Sequence, residues 1–538
     1  MKITKTPKRQ PEVPRAPAAL CARVSDTPDE ALADVLEPVT QWPWPRGDLY
    51  SWVGVLNRFD TLLAQLCAKY QLGTVQCSPF SPQDKRLLVA VLHFTRLLLE
   101  NCTNRKLYAS YEHLDALLHT SDWDVLAAVL YLLLRPAQQH SGSGNPRHDL
   151  PINRARLATL AVVWPPRDAG LELADVAAAE APPRPPSLCA VHYHYFRRPD
   201  KPAAARDDAA RGAPSAPSTP NAREAHAPPA QPHGEGLTDV VVPDLHVGDA
   251  TAQTRVAAVV DAERMRPEDY FELFHKVRVA LAYGGDVRER RLSVICRLLA
   301  MACYAHSVPE STANSQLFLY EPGVVPRVAA LANPQRGMDE RVQSAALYAL
   351  DALGRYRTKL QEVLAALNAS VSHGVLLQVV QRMTQRLRAG GAELTPAMDE
   401  YVDSIMTVVA YLTTTVSGSN MVIGAGLIPH LVELVRLSSP DVYLVQRTAS
   451  RVVGLLDSVM YSYPPAFDLF CNAQGIEVVV QRIAEEVDAG VAAEAAATPM
   501  EQDEGSAAGA NEPAGMPFGR SMLCLLYTSP SPRDLSTS

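Results

Sequence analysis

The chain has 538 residues, with 50 Lys+Arg against 58 Asp+Glu and a formal net charge of −8 at pH 7. That balance excludes a protein that coats nucleic acid through a basic excess, and 47% apolar residues supply material for a large core. No apolar run reaches the roughly 18–20 residues that span a bilayer, and MKITKTPKRQPEVPR lacks the apolar stretch of a secretory signal. The expectation is a soluble, intracellular protein with neither membrane nor nucleic acid among its partners.

Residues 1–41 are Pro-rich and charged and read as a disordered lead-in. A first armadillo-like helical domain is expected over 42–196, opening at Trp42-Pro43-Trp44-Pro45. Within it Ser81-Pro82-Gln83-Asp84 combines an N-cap, a first-turn proline and an early acid, which together start a helix. Leu87, Leu88, Val91, Leu92, Phe94 and Leu97–Leu99 follow with little polar face, so that helix is buried on several sides. A second helix carries Leu114, Leu117 and Leu118. A third runs from Trp123 to Leu134 and is expected to stop at Arg135-Pro136.

From Pro199 to Gly236 no Leu, Ile, Val, Phe, Met, Trp or Tyr occurs, so 197–236 reads as a disordered linker unable to offset its ordering entropy. A second armadillo-like domain is expected over 237–488, with helical patterning from Pro267-Glu268-Asp269 onward. Residues 489–518 turn Ala/Gly/Glu-rich and read as a disordered acidic insert, with the start of another helix at 519–523.

One phrase recurs. Gly426-Leu427-Ile428-Pro429 opens a helix that is followed, after Ser438-Ser439-Pro440-Asp441, by another; Gly323-Val324-Val325-Pro326 precedes DERVQSAALYALDAL in the same way. Gly475 opens a shorter version, and Ser121-Asp122 stands before the Trp123 helix. Helix, tight turn and returning helix cannot bury both faces alone, so such units stack. The fold class expected is all-α: an armadillo/HEAT-like helical solenoid interrupted by disordered Pro/Ala-rich inserts. An irregular all-α bundle is the rival.

Reactive constellations are scarce. The nine cysteines are scattered without CxxC or CxxH pairs, and most sit among Leu, Val and Ala; Cys296 and Cys303 share one helical face and read as core. There is no phosphate loop, nucleophile elbow, HExxH or kinase signature. His192-Tyr193-His194-Tyr195-Phe196 suggests a metal pair on a strand but lacks any nearby third ligand, and it reads as a short extended segment beside the linker. Asn101 and Asn368 begin accidental glycosylation sequons, and Arg288, Arg290 and Arg291 read as a solvated helix face. No residue is assigned a catalytic, cofactor-binding or metal role, and no cofactor is expected.

Several of these stretches resemble the N-terminus of the giant HECT-type ubiquitin ligases, the Tom/Mule group. They are Leu49-Tyr50-Ser51-Trp52, Leu56-Asn57-Arg58-Phe59-Asp60, His93 to Asn101, Asn104 to Ser110 and Glu112-His113-Leu114. Trp164 with Gly170-Leu171, Glu310 to Ser315, Ser372-His373-Gly374, and Gly475 with Arg482 and Glu486-Val487-Asp488 continue the likeness. So do Met500-Glu501 and Arg520 to Leu523. The resemblance implies two adjoining uncharacterised armadillo-like domains at the start of a long solenoid. It also implies a parent protein, in cytoplasm and nucleus, that passes ubiquitin through a catalytic cysteine thioester to substrate lysines. No HECT domain is present here, so no catalytic residue carries over. The implied partners are protein substrates of ubiquitination, with the ubiquitin-conjugating enzyme engaged only through the missing HECT domain. Cys524 to Asp534 resembles one reading frame of a transposon-based sequencing adapter, so 524–538 is expected to be foreign and the chain an N-terminal fragment. A free-standing armadillo-repeat adaptor or transport scaffold is the alternative.

Overall fold

The computed structural model describes residues 17–41, 47–74, 77–142, 151–162, 177, 189–196, 237–245, 252–310, 323–368, 374–390, 395–437 and 443–497. Linker 197–236, segment 498–538 and the first sixteen residues lie outside them. The chain folds as the expected all-α solenoid.

Its backbone is a row of long helices: α4 (Pro82–Asn101), α6 (Trp123–Gly142), α10 (Val287–Ser307), α12 (Glu340–Gly354), α15 (Pro396–Leu412) and α18 (Tyr443–Ser462). Between them in sequence lie α1 (Pro17–Asp26), α2 (Asp29–Leu36), α3 (Val53–Lys69), α5 (Tyr111–Leu117), α7 (Arg154–Ala161), α8 (Ala252–Glu263) and α9 (Pro267–Gly284). Further along come α11 (Val324–Ala332), α13 (Arg357–Leu367), α14 (Val375–Ala389), α16 (Val416–Gly424), α17 (Leu427–Arg436), α19 (Pro464–Asn472) and α20 (Gly475–Ala497).

Side-chain contacts fix the direction of the row. Cys296 and Cys303 on α10 point their thiols at the Trp123 and Leu130 carbonyls of α6, 3.7 and 3.5 Å away, so the two helices run parallel in register. His306 Nε2 lies 3.3 Å from Asp351 near the ends of α10 and α12, and the Tyr411 hydroxyl of α15 donates to the Gly354 carbonyl at 2.9 Å. On α18, Arg447 and Arg451 meet Asp399 and Asp403 of α15, one turn apart on each helix. Parallel neighbours need a return helix, which is the role of the shorter α11, α14 and α17.

The local start signals behave as chemistry requires. Ser81 Oγ accepts the Asp84 amide with Pro82 in the first turn, and Asp122 accepts the amides of Asp124 and Val125 at the start of α6. Asp339 does the same for α12. Gly323 and Gly426 take φ of +74° and +72°, a left-handed turn that favours glycine, immediately before α11 and α17. Gly475 differs: the left-handed residue is its neighbour Gln474, and Gly475 is small because a Cβ there would lie 2.3 Å from the Phe470 ring. The capping segment Ser438-Ser439-Pro440-Asp441 lies outside the described residues.

Four expectations need correction. Residues 17–41, read as disordered, form α1, α2 and a 3-10 turn whose Leu20, Val24, Leu32, Leu36 and Val39 are fully buried. The i,i+4 spacing of those pairs outweighs the prolines between them. Helix α6 does not stop at Arg135 but continues through Pro136 to Gly142. A proline inside a helix costs about 3 kcal/mol, and immediately beyond it Ala137 is fully buried in the common core. The insert assigned to 489–518 begins instead as the Ala-rich last turns of α20, through Ala497.

The fourth concerns the break near residue 197. Strand β3 (Cys189–Phe196) pairs antiparallel with β4 (Leu237–Leu245), so the segment between is inserted into a hairpin and does not string two bodies together. One face of that hairpin, with Tyr193, Tyr195, Val240 and Val242, packs on Leu273, Phe274 and Val277 of α9. A continuous apolar core then runs from Leu20 to Val478 across the insertion. The remaining sheet, β1 (Gly47–Asp48) parallel with β2 (Cys102–Thr103), pins the start of α3 against the end of α4.

Candidate functional site

Where α4, α6, α12, α15 and α18 converge, the row carries charged side chains in place of apolar ones. Arg96 on α4 lies 2.8 Å from Glu100 one turn along and 2.7 Å from Glu400 on α15. Arg135 in the last turns of α6 lies 2.6 Å from Glu100 and 2.7 Å from Asp403. The Tyr348 hydroxyl of α12 donates to Asp403 Oδ2 at 2.7 Å, and Arg451 reaches Asp403 Oδ1 at 2.7 Å. Both inner guanidinium groups also sit over rings, Arg96 over Tyr131 and Arg135 over Tyr348. Side chains from helices several steps apart meet at one point, so the row curves with this cluster on its inner side.

The cluster is nearly dry. Arg135 and Asp403 are 10% and 9% exposed, which makes their charge state a matter of mutual compensation. Burial alone would raise the Asp403 carboxyl, but Arg135, Arg451, Arg447 and the Tyr348 hydroxyl hold it well below the usual carboxylate range. Glu100 is lowered in the same way against its burial, by Arg135 and then Arg96. Arg135 is driven further toward its charged form by Asp403 and Glu100 despite desolvation. Such a set clamps helices in register; it offers neither a poised acid nor a base.

A second fastener joins the same two parts of the chain. Arg278 on α9 is buried, donates to the Leu118 carbonyl at 3.1 Å and to the Thr120 carbonyl at 2.5 Å, and lies 2.9 Å from His275 Nδ1. Trp123 and Phe274 lie against its guanidinium, and burial brings its pKa down to about 10.

The residues singled out from sequence fall into structural places. Cys296 and Cys303 are fully buried in the core, and desolvation pushes both thiols upward. Cys67 borders an open cavity of about 700 Å³ with Leu72, His113 and Ala116, and burial pushes it up to about 12. A thiol so raised is not a nucleophile at neutral pH. Of the arginine trio, Arg288 is solvated at 65% exposure while pairing with Asp124, whereas Arg290 is buried and Arg291 reaches the Ala177 carbonyl and Asp339. Asn101 closes α4 by donating to the Leu97 carbonyl. His192 and His194 stand on the solvent face of β3. Arg96, Arg135, Glu400 and Asp403 carried no sequence signal, since each looks like an ordinary helix charge and Arg96 and Glu400 stand 304 residues apart.

Comparison with known proteins places this arrangement in context. "E3 ubiquitin-protein ligase ptr1" of Schizosaccharomyces pombe is 27% identical over 91% of this chain and 15% of its own length. "E3 ubiquitin-protein ligase UPL1" of Arabidopsis thaliana is 26% identical over 89% of this chain and 12% of its own. "E3 ubiquitin-protein ligase HUWE1" of Mus musculus is 26% identical over 90% and 10%. The chain therefore spans only about a tenth to a seventh of these relatives. An engineered protein of known crystal structure aligns with 14% identity and a TM-score of 0.26, covering 86% of this chain and 83% of that one, too low a score to bear on the fold. A second domain of unknown function, DUF913, matches residues 450–513. The domain of unknown function DUF908 matches residues 83–385, across the hairpin insertion and over more than half of the sequence, and the chain belongs to that family.

Proposed function

We propose that this chain is a non-catalytic recognition scaffold within a HECT-type ubiquitin-protein ligase, presenting protein substrates or partners to a catalytic cysteine elsewhere in the polypeptide. The observation that carries the reading is the alignment of about nine-tenths of the chain with ligases of this kind from yeast, plant and mammal. Cys67, Cys296 and Cys303 suit a structural role, since burial raises these three thiols away from the reactive thiolate that a ubiquitin thioester needs. A stacked helical frame suits the holding role because its long faces offer area without needing chemistry of their own. The Arg96–Arg135–Asp403 cluster is buried between the long helices, so binding on this segment falls to the exposed helix faces. The same reading puts the protein in cytoplasm and nucleus, and a fluorescent fusion excluded from both would contradict that part.

The test compares a full-length parent ligase with one lacking the region equivalent to 17–497. The deleted enzyme is expected to accept ubiquitin from its conjugating enzyme as a reducible thioester yet to lose a subset of modified substrates in quantitative ubiquitin-remnant proteomics. An unchanged substrate set would refute the scaffold reading. Thioester formation on the isolated chain would refute its non-catalytic part.

A further inference from the structure

The hairpin supplies what the His-Tyr-His-Tyr run lacked in sequence. Strand alternation buries Tyr193 and Tyr195 against α9, which forces His192 and His194 onto the opposite, open face. The antiparallel register sets Asp239 of β4 directly opposite His194, on that same face. His194 Nδ1 lies 3.3 Å from Asp239 Oδ1, and His192 Nδ1 lies 3.8 Å from Oδ2. One carboxylate thus faces two imidazoles through different oxygens.

Those spacings are long for charge-assisted hydrogen bonds, which run about 2.7–2.9 Å. They approach the separation of two donors that share a metal. Ligands bound at about 2.0–2.1 Å around a tetrahedral ion lie roughly 3.3 Å from one another. In their present rotamers, no group of three His, Cys, Asp or Glu side chains among the described residues could hold a metal ion. The three side chains must therefore rotate to close on an ion, and their exposures of 58%, 56% and 51% for His192, His194 and Asp239 leave room for it. The backbone beneath is rigid: Tyr193 stacks on Tyr195, its hydroxyl donates to Glu272 at 3.2 Å, and Lys276 sits over its ring.

We propose that His192, His194 and Asp239 form a surface site for a late first-row divalent ion, zinc or copper, on the hairpin that brackets residues 197–236. Two imidazoles and one carboxylate suit these ions, and water completes the shell. A bound ion would fasten β3 to β4 at the mouth of the insertion.

The experiment titrates the full 538-residue chain, stripped with a chelator and dialysed, with Cu2+ alone and separately with Zn2+ alone, by calorimetry. Electron paramagnetic resonance of the one-equivalent Cu2+ sample reports the donor atoms. The expected result is a tightest site of one ion per chain whose copper spectrum shows two nitrogen donors. His192→Ala and His194→Ala should each weaken it at least about tenfold and leave one nitrogen, and Asp239→Asn should weaken it with both nitrogens retained. All three positions are half exposed, so unchanged melting curves verify that folding is intact. A wild-type chain with no such site, or the same stoichiometry and affinity in His192→Ala/His194→Ala, would overturn the proposal.

Discussion

Replacing Arg135 by methionine removes the central cation of the inner cluster while keeping most of its volume. Glu100 and Asp403 then remain buried, Glu100 with Arg96 and Asp403 with Arg451, Arg447 and the Tyr348 hydroxyl. Breaking a buried ion pair on one side costs about 3–5 kcal/mol, and the surviving partners put Arg135→Met at the lower end, about 3 kcal/mol. A chain this long need not unfold in one step, so the measurement is local: hydrogen exchange of the α4, α6 and α15 amides at pH 7. About 3 kcal/mol corresponds to exchange faster by roughly two orders of magnitude. The sign with pH follows from the lowered carboxyls of Glu100 and Asp403. Their contribution is fully present above the unfolded values near 4 and is lost as pH falls toward the folded ones. The protection of these amides in wild type and Arg135→Met should therefore draw together below about pH 4. Coupling in the Arg135→Met/Asp403→Leu cycle should exceed about 1 kcal/mol. A penalty under about 0.5 kcal/mol, or one unchanged between pH 7 and pH 3, would refute the description of the cluster as a buried clamp.

Further outcomes follow from single contacts. Gly475→Ala forces a methyl into the Phe470 ring and should cost about 1–3 kcal/mol, recovered in part by Phe470→Leu, as read from the melting of the C-terminal helices. Gly426→Ala, at a φ of +72°, should cost about 1 kcal/mol and Gly426→Asn less, by the same measurement. Helix α20 exposes Ile476, Val480, Val487 and Val491 at helical spacing beside Phe467, so the isolated chain should self-associate; Val480→Glu/Val487→Glu should reduce that in light scattering without shifting the melt. Cys296 and Cys303 should resist a thiol reagent in the native chain and react only on unfolding, as followed by mass spectrometry.

What the sequence made legible was local. The Ser81 cap, the Asp122 and Asp339 caps and the left-handed Gly323 and Gly426 are spelled within a few residues, and each stands where its spelling says. Cys296 and Cys303 share a face because seven residues make two turns. The failures needed partners far along the chain. Strand β4, with Pro243 inside it, looks unlike a strand until β3 is placed beside it across residues 197–236. Helices α1 and α2 are short and bounded by prolines, and they hold because Leu20, Val24, Leu32 and Leu36 enter the common core. The inner cluster was illegible for the same reason. An arginine that pairs across a curved stack is written no differently from one that points into water.

The hairpin has a practical corollary for anyone who wishes to label or extend this protein. Because Phe196 and Leu237 are ladder neighbours, whatever joins them departs from and returns to almost the same spot. Lengthening such a closed excursion raises its entropic cost only logarithmically, about 0.6 kcal/mol per doubling. A fluorescent reporter or affinity handle spliced there would hang from a fixed two-point mount and leave the register of every helix undisturbed.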